Sequence, residues 1–405
     1  MAEALSFDVL IIGGGPVGGL LATVLAQAGV TVAVVEAASP EALARPDSDA
    51  RAIAVAYSAQ KLIRASGAWE QMAPEAGAIL EIRVTDAGSP LCLHYDHQDI
   101  GDEPLGWIVP NPAIRRAVTA RLVAAPAARL FAPTRLKRLE RLAGRVEAEL
   151  EDGRILRASL VVGADGRGSK TRQAAGLGLV RRDYRVSGIV CTIEHAERHH
   201  GIAHERFLPG GPFAILPLAG QCSGIVWTEA NAVAAAICGQ DDDAFRAELA
   251  AKIGGFLGDI TLVGPRFHHP LTLQFVNEMI SHRLALVGDA AHGMHPIAGQ
   301  GMNMGIRDVA ALAEVIVDAR RLGLDPGTPQ VLERYQRWRR FDNLLMLGLT
   351  DGLDRLFSNG IEPLRLARRL GLATVDRLDH TKRFFMRHAM GVVGDLPRLL
   401  KGERL

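Results

Sequence analysis

The chain has 405 residues, of which 48% are hydrophobic and 22% charged, so it can form two or three globular cores and is not intrinsically disordered. Its formal net charge of +1 gives no electrostatic reason to expect a nucleic-acid partner. The four cysteines (Cys92, Cys191, Cys222 and Cys238) form no CxxC pair, and isolated thiols of this kind favour a reducing cytosol over a disulfide scaffold.

The first predicted elements are a buried strand and a glycine-rich turn. Residues Phe7–Ile12 form a mostly apolar run of the kind found in a strand buried on both faces. Gly13, Gly15 and Gly18 follow it as a GxGxxG pattern, which allows a tight turn, close approach to a pyrophosphate and close packing of the next helix. That helix begins at Pro16, and its N-terminus favours a phosphate group.

The apolar stretch that contains this turn could be mistaken for a membrane span. No charged residue occurs from Val9 to Val35, but Asp8 precedes the stretch and Gly and Pro cluster within it. A strand, a turn, a buried helix and a second strand over Val30–Val35 explain the same residues better than a leader or spanning helix. Glu36 ends the second strand and is expected to accept hydrogen bonds from an adenosine ribose, with a solvated acid as the alternative.

A second strand-and-turn pattern lies in the middle of the chain. The run Leu160–Ala164 predicts a buried strand, and Asp165 and Gly166 turn out of it. Ser169 and Arg172 complete a D-G-x-x-S-x-x-R pattern. We expect Asp165 to order this loop through side-chain hydrogen bonds as much as it contacts a ligand.

The third pattern follows a strand that ends near Val287. Gly288 and Asp289 form a turn, a loop containing Pro296 follows, and a helix opens at Gly299-Gln300-Gly301-Met302-Asn303. A GxGxxG alone is weak evidence, but the same turn followed far downstream by GDAAH and GQG indicates an FAD protein.

These three motifs, in this order, resemble the single-component flavin-dependent aromatic hydroxylases over nearly the whole chain. Thr350–Phe357, with Pro363-Leu364-Arg365 and Gly371-Leu372, is similar to the tail of the ubiquinone-biosynthesis hydroxylases of the UbiH/UbiF type. The resemblance implies an α/β fold with a Rossmann-like FAD-binding domain, a sheet-based substrate domain and a helical C-terminus. The expected boundaries are 1–72, 107–179 and 271–345 for the FAD-binding domain, 73–106 and 180–270 for the substrate domain, and 346–405 for the helical region.

The resemblance also implies roles for single residues. Arg51, at the start of an R-x-x-A-V/L helix, would contact FAD, with pairing to Asp47 or Asp49 as the alternative. Asp289 would accept hydrogen bonds from the ribityl hydroxyls. The expected cofactor-binding set is Gly13, Gly15, Pro16, Gly18, Glu36, Arg51, Arg115, Asp165, Gly288, Asp289, Gly299, Gly301, Met302 and Asn303. The catalytic candidates are Pro296, beside the reactive face of the flavin, and His292.

The implied reaction is hydroxylation of the ring of a polyprenylated phenol or quinone precursor by O2 and NADH or NADPH, through a flavin C4a-hydroperoxide. Hydroxylation of a soluble phenol and a non-catalytic FAD-bound component of a quinone-biosynthesis complex stay open as alternatives, and so does homo-oligomerisation. A phenol-deprotonating base is expected, but His94, Tyr95 and Tyr184 are only weak candidates. No metal is expected, because His292 and His295 lack further spaced ligands, and the histidines at 195–204, among charged residues, are more simply a solvated loop.

The C-terminal residues 361–405 are basic, with ten Lys or Arg and five Asp or Glu, or about +5. Phe384, Phe385 and Met386 interleave with these charges. The simpler interpretation is a packed helix pair with a solvated face. The alternative is a surface that binds anionic lipid or a partner complex, so we expect a cytoplasmic protein that can also lie on the inner face of the cytoplasmic membrane.

Overall fold

The structure is a computed structural model and describes residues 4–45, 49–86, 92–293, 300–340, 342 and 378–405. Asp47, His295, Pro296, Gly299 and the tail motif over 350–372 lie outside the described residues, so the expectations placed on them stay predictions.

The first of three sheets has a parallel centre. Five strands pair in the order β18-β11-β1-β2-β8, every neighbouring pair parallel. Their bounds are β1 (Leu5–Ile12), β2 (Val32–Val35), β8 (Ala128–Phe131), β11 (Ile155–Gly163) and β18 (Leu284–Leu286). Antiparallel strands β9 (Leu136–Arg141), β10 (Val146–Leu150) and β17 (Ile280–Ser281) extend it. The central strands are apolar because helices bury both faces of the sheet.

Helices on the sheet explain the apolar stretch near the N-terminus. Helix α1 (Pro16–Gln27) packs against α5 (Asn111–Ala124) and α9 (Gln300–Arg321). Residues Gly18–Leu25 of α1 are all buried, so its apolar character serves the core of a folded domain. Among the described residues, no helix is both long enough and apolar enough to cross a bilayer.

The carboxyl ends of four parallel strands meet at one edge. Ile12 is in register with Val35 and with Gly163, and Gly163 is in register with Leu286. The turns that follow these strands therefore leave the sheet side by side, although they are far apart in sequence. Ligands of open parallel sheets bind outside this edge, so the three sequence motifs converge where a ligand would lie.

The second sheet has the strand order β19-β16-β12-β15-β14-β13-β5-β6. Its strands are β5 (Glu81–Asp86), β6 (Cys92–Asp96), β12 (Leu179–His195), β13 (Ile202–Leu208), β14 (Gly211–Pro217), β15 (Cys222–Ala230), β16 (Ile260–Val276) and β19 (His292–Gly293). Helices α7 (Asn231–Cys238) and α8 (Asp242–Ile253) pack on one face. A second, largely antiparallel sheet of the kind expected from the resemblance is thus confirmed. The domain boundaries themselves stay a prediction.

A small third sheet corrects one expectation. It consists of β3 (Ala52–Ala56), β7 (Gly106–Pro110) and β4 (Gly77–Ile79), with β7 in the centre. The helix predicted to start at Arg51 is therefore wrong, because a strand follows Arg51 and the helix begins only at Tyr57. The apolar run Ala52–Ala56 forms a strand because it pairs antiparallel with β7 along its whole length.

The remaining helices are short or lie near the C-terminus. They are α2 (Pro40–Leu43), α3 (Tyr57–Ala65), α4 (Trp69–Met72), α6 (Lys170–Ala174), a helix at 329–340, a helix over Asp379–Ala389 that we call the tail helix, and a final turn over Arg398–Lys401. Single 3₁₀ turns occur at Ala73–Glu75, His97–Asp99 and Gly288–Ala290. Met386 and Met390 anchor the end of the tail helix in a cluster with residues of β3, β7 and the second sheet.

Candidate functional site

The first turn has the geometry of a phosphate-binding loop. Gly13 has φ +106°, and a Cβ there would lie 2.4 Å from the Ala164 carbonyl oxygen. A Cβ on Gly18 would lie 2.0 Å from the Gly13 carbonyl oxygen, whereas one on Gly15 would meet open space. Gly15 caps α1 without a side-chain hydrogen bond, and the first turn has no acidic residue. The N–H groups at the start of α1 therefore face open space suited to an anion.

Glu36 lies beside this turn, as predicted. Its Oε2 accepts a hydrogen bond from the Gly14 amide at 2.7 Å, and its Oε1 accepts one from Ala38 at 2.9 Å. A carboxylate has about four acceptor positions, so hydroxyl groups of a ribose can still bind. The ribose contact stays a prediction, and the structure adds a second role for Glu36 in holding the glycine turn.

Arg115 is the unpaired member of an arginine pair on α5. Arg116 forms an ion pair with Glu75 at 2.5 Å. The Nε of Arg115 is buried and has no hydrogen-bond partner among the described groups. A buried donor of this kind normally has an acceptor, so this observation supports the predicted contact with the cofactor.

Asp165 has a clear structural role. It accepts hydrogen bonds from the Ser169 hydroxyl at 2.5 Å and from both the amide and the hydroxyl of Thr171 at 3.0 Å. These bonds fix the start of α6. Arg167, two residues later, instead reaches Asp289, with 3.1 Å between its Nε and Oδ2. Sequence analysis missed Arg167, although a cation in an Asp-Gly loop is a usable signal.

The expected flavin end of the site combines two guanidinium groups and two carboxylates. Asp289 and Arg167 are both partly exposed, at 45% and 42% of their side chains. Arg51 pairs with Asp49 at 2.5 Å, which was its alternative partner, and keeps 47% of its side chain exposed. This bond raises the pKa of Arg51, and the charge of Asp289 raises it further. The predicted contact of Arg51 with FAD stays a prediction.

A histidine of the second sheet, His269, is affected by the charges of these groups. Burial lowers the pKa of His269, and the charges of Arg51 and Arg167 lower it further, with Asp49 acting in the opposite direction. His269 lies on β16, whereas the arginines follow strands or loops of other parts of the fold. The interacting groups therefore come from different parts of the fold.

Behind the Gly288–Asp289 turn lies a buried charge network that the sequence analysis did not identify. Asp308 is fully buried, and its Oδ2 accepts hydrogen bonds from the Gly288 amide at 2.9 Å and from His292 Nε2 at 2.6 Å. Its Oδ1 accepts one from Arg339 Nε at 2.8 Å. Burial opposes ionisation, but the charges of His292 and Arg339 hold the pKa of Asp308 below its usual value.

The hydrogen bond to Asp308 thus fixes the position of the His292 ring. It is 2% exposed, and its Nδ1 has no hydrogen-bond partner in the described part of the chain. Its catalytic role stays a prediction. The signal for the network was the charged pair Arg307-Asp308 before the apolar run Val309–Ala313, since a charge within a buried helix needs a partner.

The start of α9 is tied to the third sheet. The Asn303 side chain accepts a hydrogen bond from the Ala56 amide at 2.9 Å and donates one to the Ala54 carbonyl at 3.0 Å. Met302 packs partly against the core, and a Cβ on Gly301 would meet open space. The first turn of α9 has no acidic residue. The backbone at this N-terminus thus suits an anionic ring, and its predicted contact with the flavin stays a prediction.

One group of described residues has the spacing of a metal site. Glu81, His94 and Asp96 bring their ligand atoms within 4.8 Å of one another. Glu81 Oε2 is already bonded to Arg83 and to His94, each at 2.8 Å. A cation would have to compete with this guanidinium group, so we assign no metal here.

Comparison with known proteins places these features in context. Residues 6–341 match the FAD binding domain family. The chain is 51% identical to a ubiquinone hydroxylase of Rhodospirillum rubrum over 98% of this chain and 93% of the relative. It is 35% identical to the 3-demethoxyubiquinol 3-hydroxylase of Escherichia coli over 95% and 98% of the two chains. The fold resembles p-nitrophenol 4-monooxygenase of Pseudomonas putida, with a TM-score of 0.80 and 18% identity over 96% and 99% of the chains.

Replacement of the buried carboxylate tests the charge network. We expect Asp308→Asn to lower the free energy of unfolding by about 3–5 kcal/mol, because it leaves Arg339 and His292 facing a neutral group. The folded-state pKa of Asp308 is depressed, so its stabilisation is present at neutral pH and is lost as pH falls through that pKa. Urea unfolding at several pH values measures both effects.

The control for this variant is Asp243→Asn, which removes an exposed ion pair with Arg246 and should change stability by no more than about 0.5 kcal/mol. Equal stability of Asp308→Asn and the control would contradict the network.

Asp289→Ala separates cofactor binding from folding. The variant should lose FAD during purification, whereas its unfolding free energy should change by less than about 1 kcal/mol, because the Asp289–Arg167 pair is partly exposed. The ratio of flavin to protein absorbance and a thermal melt give the two results. Asp152→Ala, which removes an exposed pair with Arg154, is the matched control. Wild-type flavin content in Asp289→Ala would remove Asp289 from the site.

Proposed function

The chain belongs to the FAD binding domain family and, within it, to the hydroxylases of the UbiH/UbiF type, and from this membership we propose that it adds a hydroxyl group to the ring of a polyprenylated phenol or quinone precursor of ubiquinone. The enzyme is an FAD-dependent aromatic monooxygenase that uses NAD(P)H and O2. The observation that supports the substrate class best is the full-length similarity to ubiquinone hydroxylases.

The residues of the first sheet suit the binding of FAD. When bound, FAD accepts electrons from NAD(P)H and supplies the activated oxygen atom to the ring. The N-terminus of α1 and the open space at Gly15 suit the pyrophosphate, and Glu36 suits the adenosine ribose. Asp289 would orient the ribityl chain, and the N-terminus of α9 would stabilise negative charge on the reduced ring by about 0.3–2 kcal/mol.

The second sheet supplies an apolar cover. Ala203 and Leu216 on this sheet cluster with Ala52 and Ala54 of β3. A Cβ on Gly224 would lie 2.4 Å from the Cβ of Ala52, so the two layers are in close contact. Such a cover excludes water and favours an aromatic ring over a charged ligand.

We also propose that the tail helix binds the surface of an anionic bilayer, where a polyprenylated substrate would be found. Leu378, Phe384 and Phe385 are 51%, 53% and 40% exposed, which is unusual for large apolar side chains at one end of a fold. Arg383 and Arg387 are exposed on the same helix. Aromatic side chains beside basic ones are typical of helices that lie in a membrane interface.

Quinone profiling tests the substrate class. We expect deletion of this gene in its ubiquinone-producing host to cause accumulation of a polyprenylated ring that lacks one hydroxyl group, and complementation to restore ubiquinone. Mass spectrometry of the lipid extract identifies the ring position. A normal quinone pool in a strain that has no second hydroxylase for that position would overturn the proposal and favour a soluble phenol.

Liposome flotation tests the membrane contact. Phe384→Ser with Phe385→Ser should reduce binding to vesicles of phosphatidylglycerol, because both rings leave the interface, and binding should weaken as salt rises. Val233→Ser, at an exposed apolar position of α7, is the matched control and should bind as the wild type does. Wild-type protein that stays unbound at low salt would refute this contact.

A further inference from the structure

The reaction proposed above needs a group that takes the proton from the phenolic hydroxyl. Each of the three candidates from the sequence is already engaged in other contacts. His94 forms an ion pair with Glu81 at 2.8 Å, Tyr95 belongs to an apolar cluster, and the Tyr184 ring stacks with the Arg182 guanidinium at 5.1 Å. The face of the second sheet that contacts β3 offers another position for such a group.

The two faces of this sheet can be told apart from strand register. Residues in register on neighbouring strands point to the same face, and successive residues alternate. Phe213, Ile215 and Trp227 point to the face that packs on α7 and α8 and is filled by an apolar core. Ala214 and Val226 are in register with each other and point to the opposite face. This second face, which we call the open face, is not filled by that core.

The open face contacts the strand β3, which leads to the start of α9. Gly224 lies on it, two residues before Val226, and contacts Ala52 of β3. The same strand β3 is hydrogen-bonded at Ala54 and Ala56 to the Asn303 side chain, at the start of α9. Strand β3 thus contacts both the second sheet and the start of α9, which suits the flavin ring.

Glu205 lies on this open face. It is in register with Ala214 of β14 and with Val84 of β5. Both neighbours are apolar, and Ala214 is small. Glu205 is half-buried, and no described group forms a hydrogen bond or ion pair with it.

The other titratable groups nearby do not neutralise it. His204 and Arg206, its chain neighbours, point to the opposite face, where Arg206 Nη1 donates to the Lys252 carbonyl at 2.9 Å. On the open face, Asp86 is in register with Phe207, and Tyr95 is in register with Ile82. From the tail helix, Lys382 is bonded to Asp99 at 2.8 Å. No cation of the described residues faces Glu205.

We propose that Glu205 is the general base that accepts the phenolic proton of the substrate. The O–H bond of the phenol breaks, the proton passes to a carboxylate oxygen of Glu205, and the electron pair stays on the phenolic oxygen. This ionisation makes the ring carbons ortho and para to that oxygen more nucleophilic toward an electrophilic oxygen atom. The step needs no oxidant of its own, and it rests on the proposed function.

The surroundings of Glu205 favour this role. Burial raises the pKa of its carboxyl group to about 7, because no positive charge compensates for the lost water. A carboxylate with this pKa is a stronger base than a surface glutamate and is still charged in slightly alkaline solution. We therefore expect hydroxylation by the wild type to increase as pH rises through about 7.

The test compares the FAD-loaded wild type with Glu205→Gln on a short-chain polyprenyl phenol. The variant should lose the rise in kcat/KM near pH 7, and its rate should fall by about 10²–10⁴-fold. Activity should instead increase only toward the ionisation of the free phenol, near about pH 10. A second readout needs no turnover. The ultraviolet band of phenolate, followed during a pH titration of the enzyme–phenol complex, should appear at higher pH in the variant.

Two variants serve as controls. Glu194→Gln removes an exposed carboxylate from the same sheet and should keep the wild-type pH profile. Glu205→Asp retains a carboxylate and should recover part of the activity, which keeps the test valid if Glu205→Gln folds poorly. A wild-type profile and phenolate titration in Glu205→Gln would overturn the role of Glu205 but leave the proposed function intact. A wild type that hydroxylates no polyprenyl phenol would overturn both.

Discussion

The ionised carboxylate of Asp308 is the constraint on which the flavin end of the fold depends. A buried charge is costly unless its partners are placed well, and here the partners come from two separate parts of the chain. The Gly288 amide, the His292 ring and the Arg339 guanidinium all donate to it. The network fixes the turn that carries Asp289, the first residues after that turn and the helix α9 at the same time.

The glycine-rich turn and Glu36 could be predicted from the sequence because their constraints are local. A glycine with positive φ, or one whose Cβ would clash with a carbonyl oxygen, has no common substitute, so it leaves a pattern that can be read without the fold. The strand after Arg51 could not be predicted in this way. The run Ala52–Ala56 gives little information by itself, and its partners in β7 and at Asn303 are distant in sequence.

The roles of Arg339 and Glu205 could not be predicted from the sequence either. Each is an ordinary charged residue in sequence, and its meaning depends on what surrounds it in the fold. Arg339 is buried against Asp308. Glu205 instead lies between the apolar residues Ala214 and Val84 on neighbouring strands. The two sheets thus divide the chemistry. The first concentrates paired charges at its strand ends, and the second presents a mostly apolar face that carries Glu205.

The short strand β19 has a consequence for how substrates enter and products leave. It directly follows the Gly288–Asp289 turn, yet His292 and Gly293 pair with Phe275 and Gln274 of the second sheet. The Gln274 side chain also donates to the Asp289 carbonyl at 3.0 Å. The first and second sheets are therefore linked near the Gly288–Asp289 turn, where the flavin ring is expected. A hinge motion that separated the two sheets would break these hydrogen bonds. Exchange of ligands should instead follow a route between side chains at the rim, so its rate should depend on local loop motion and not on domain opening.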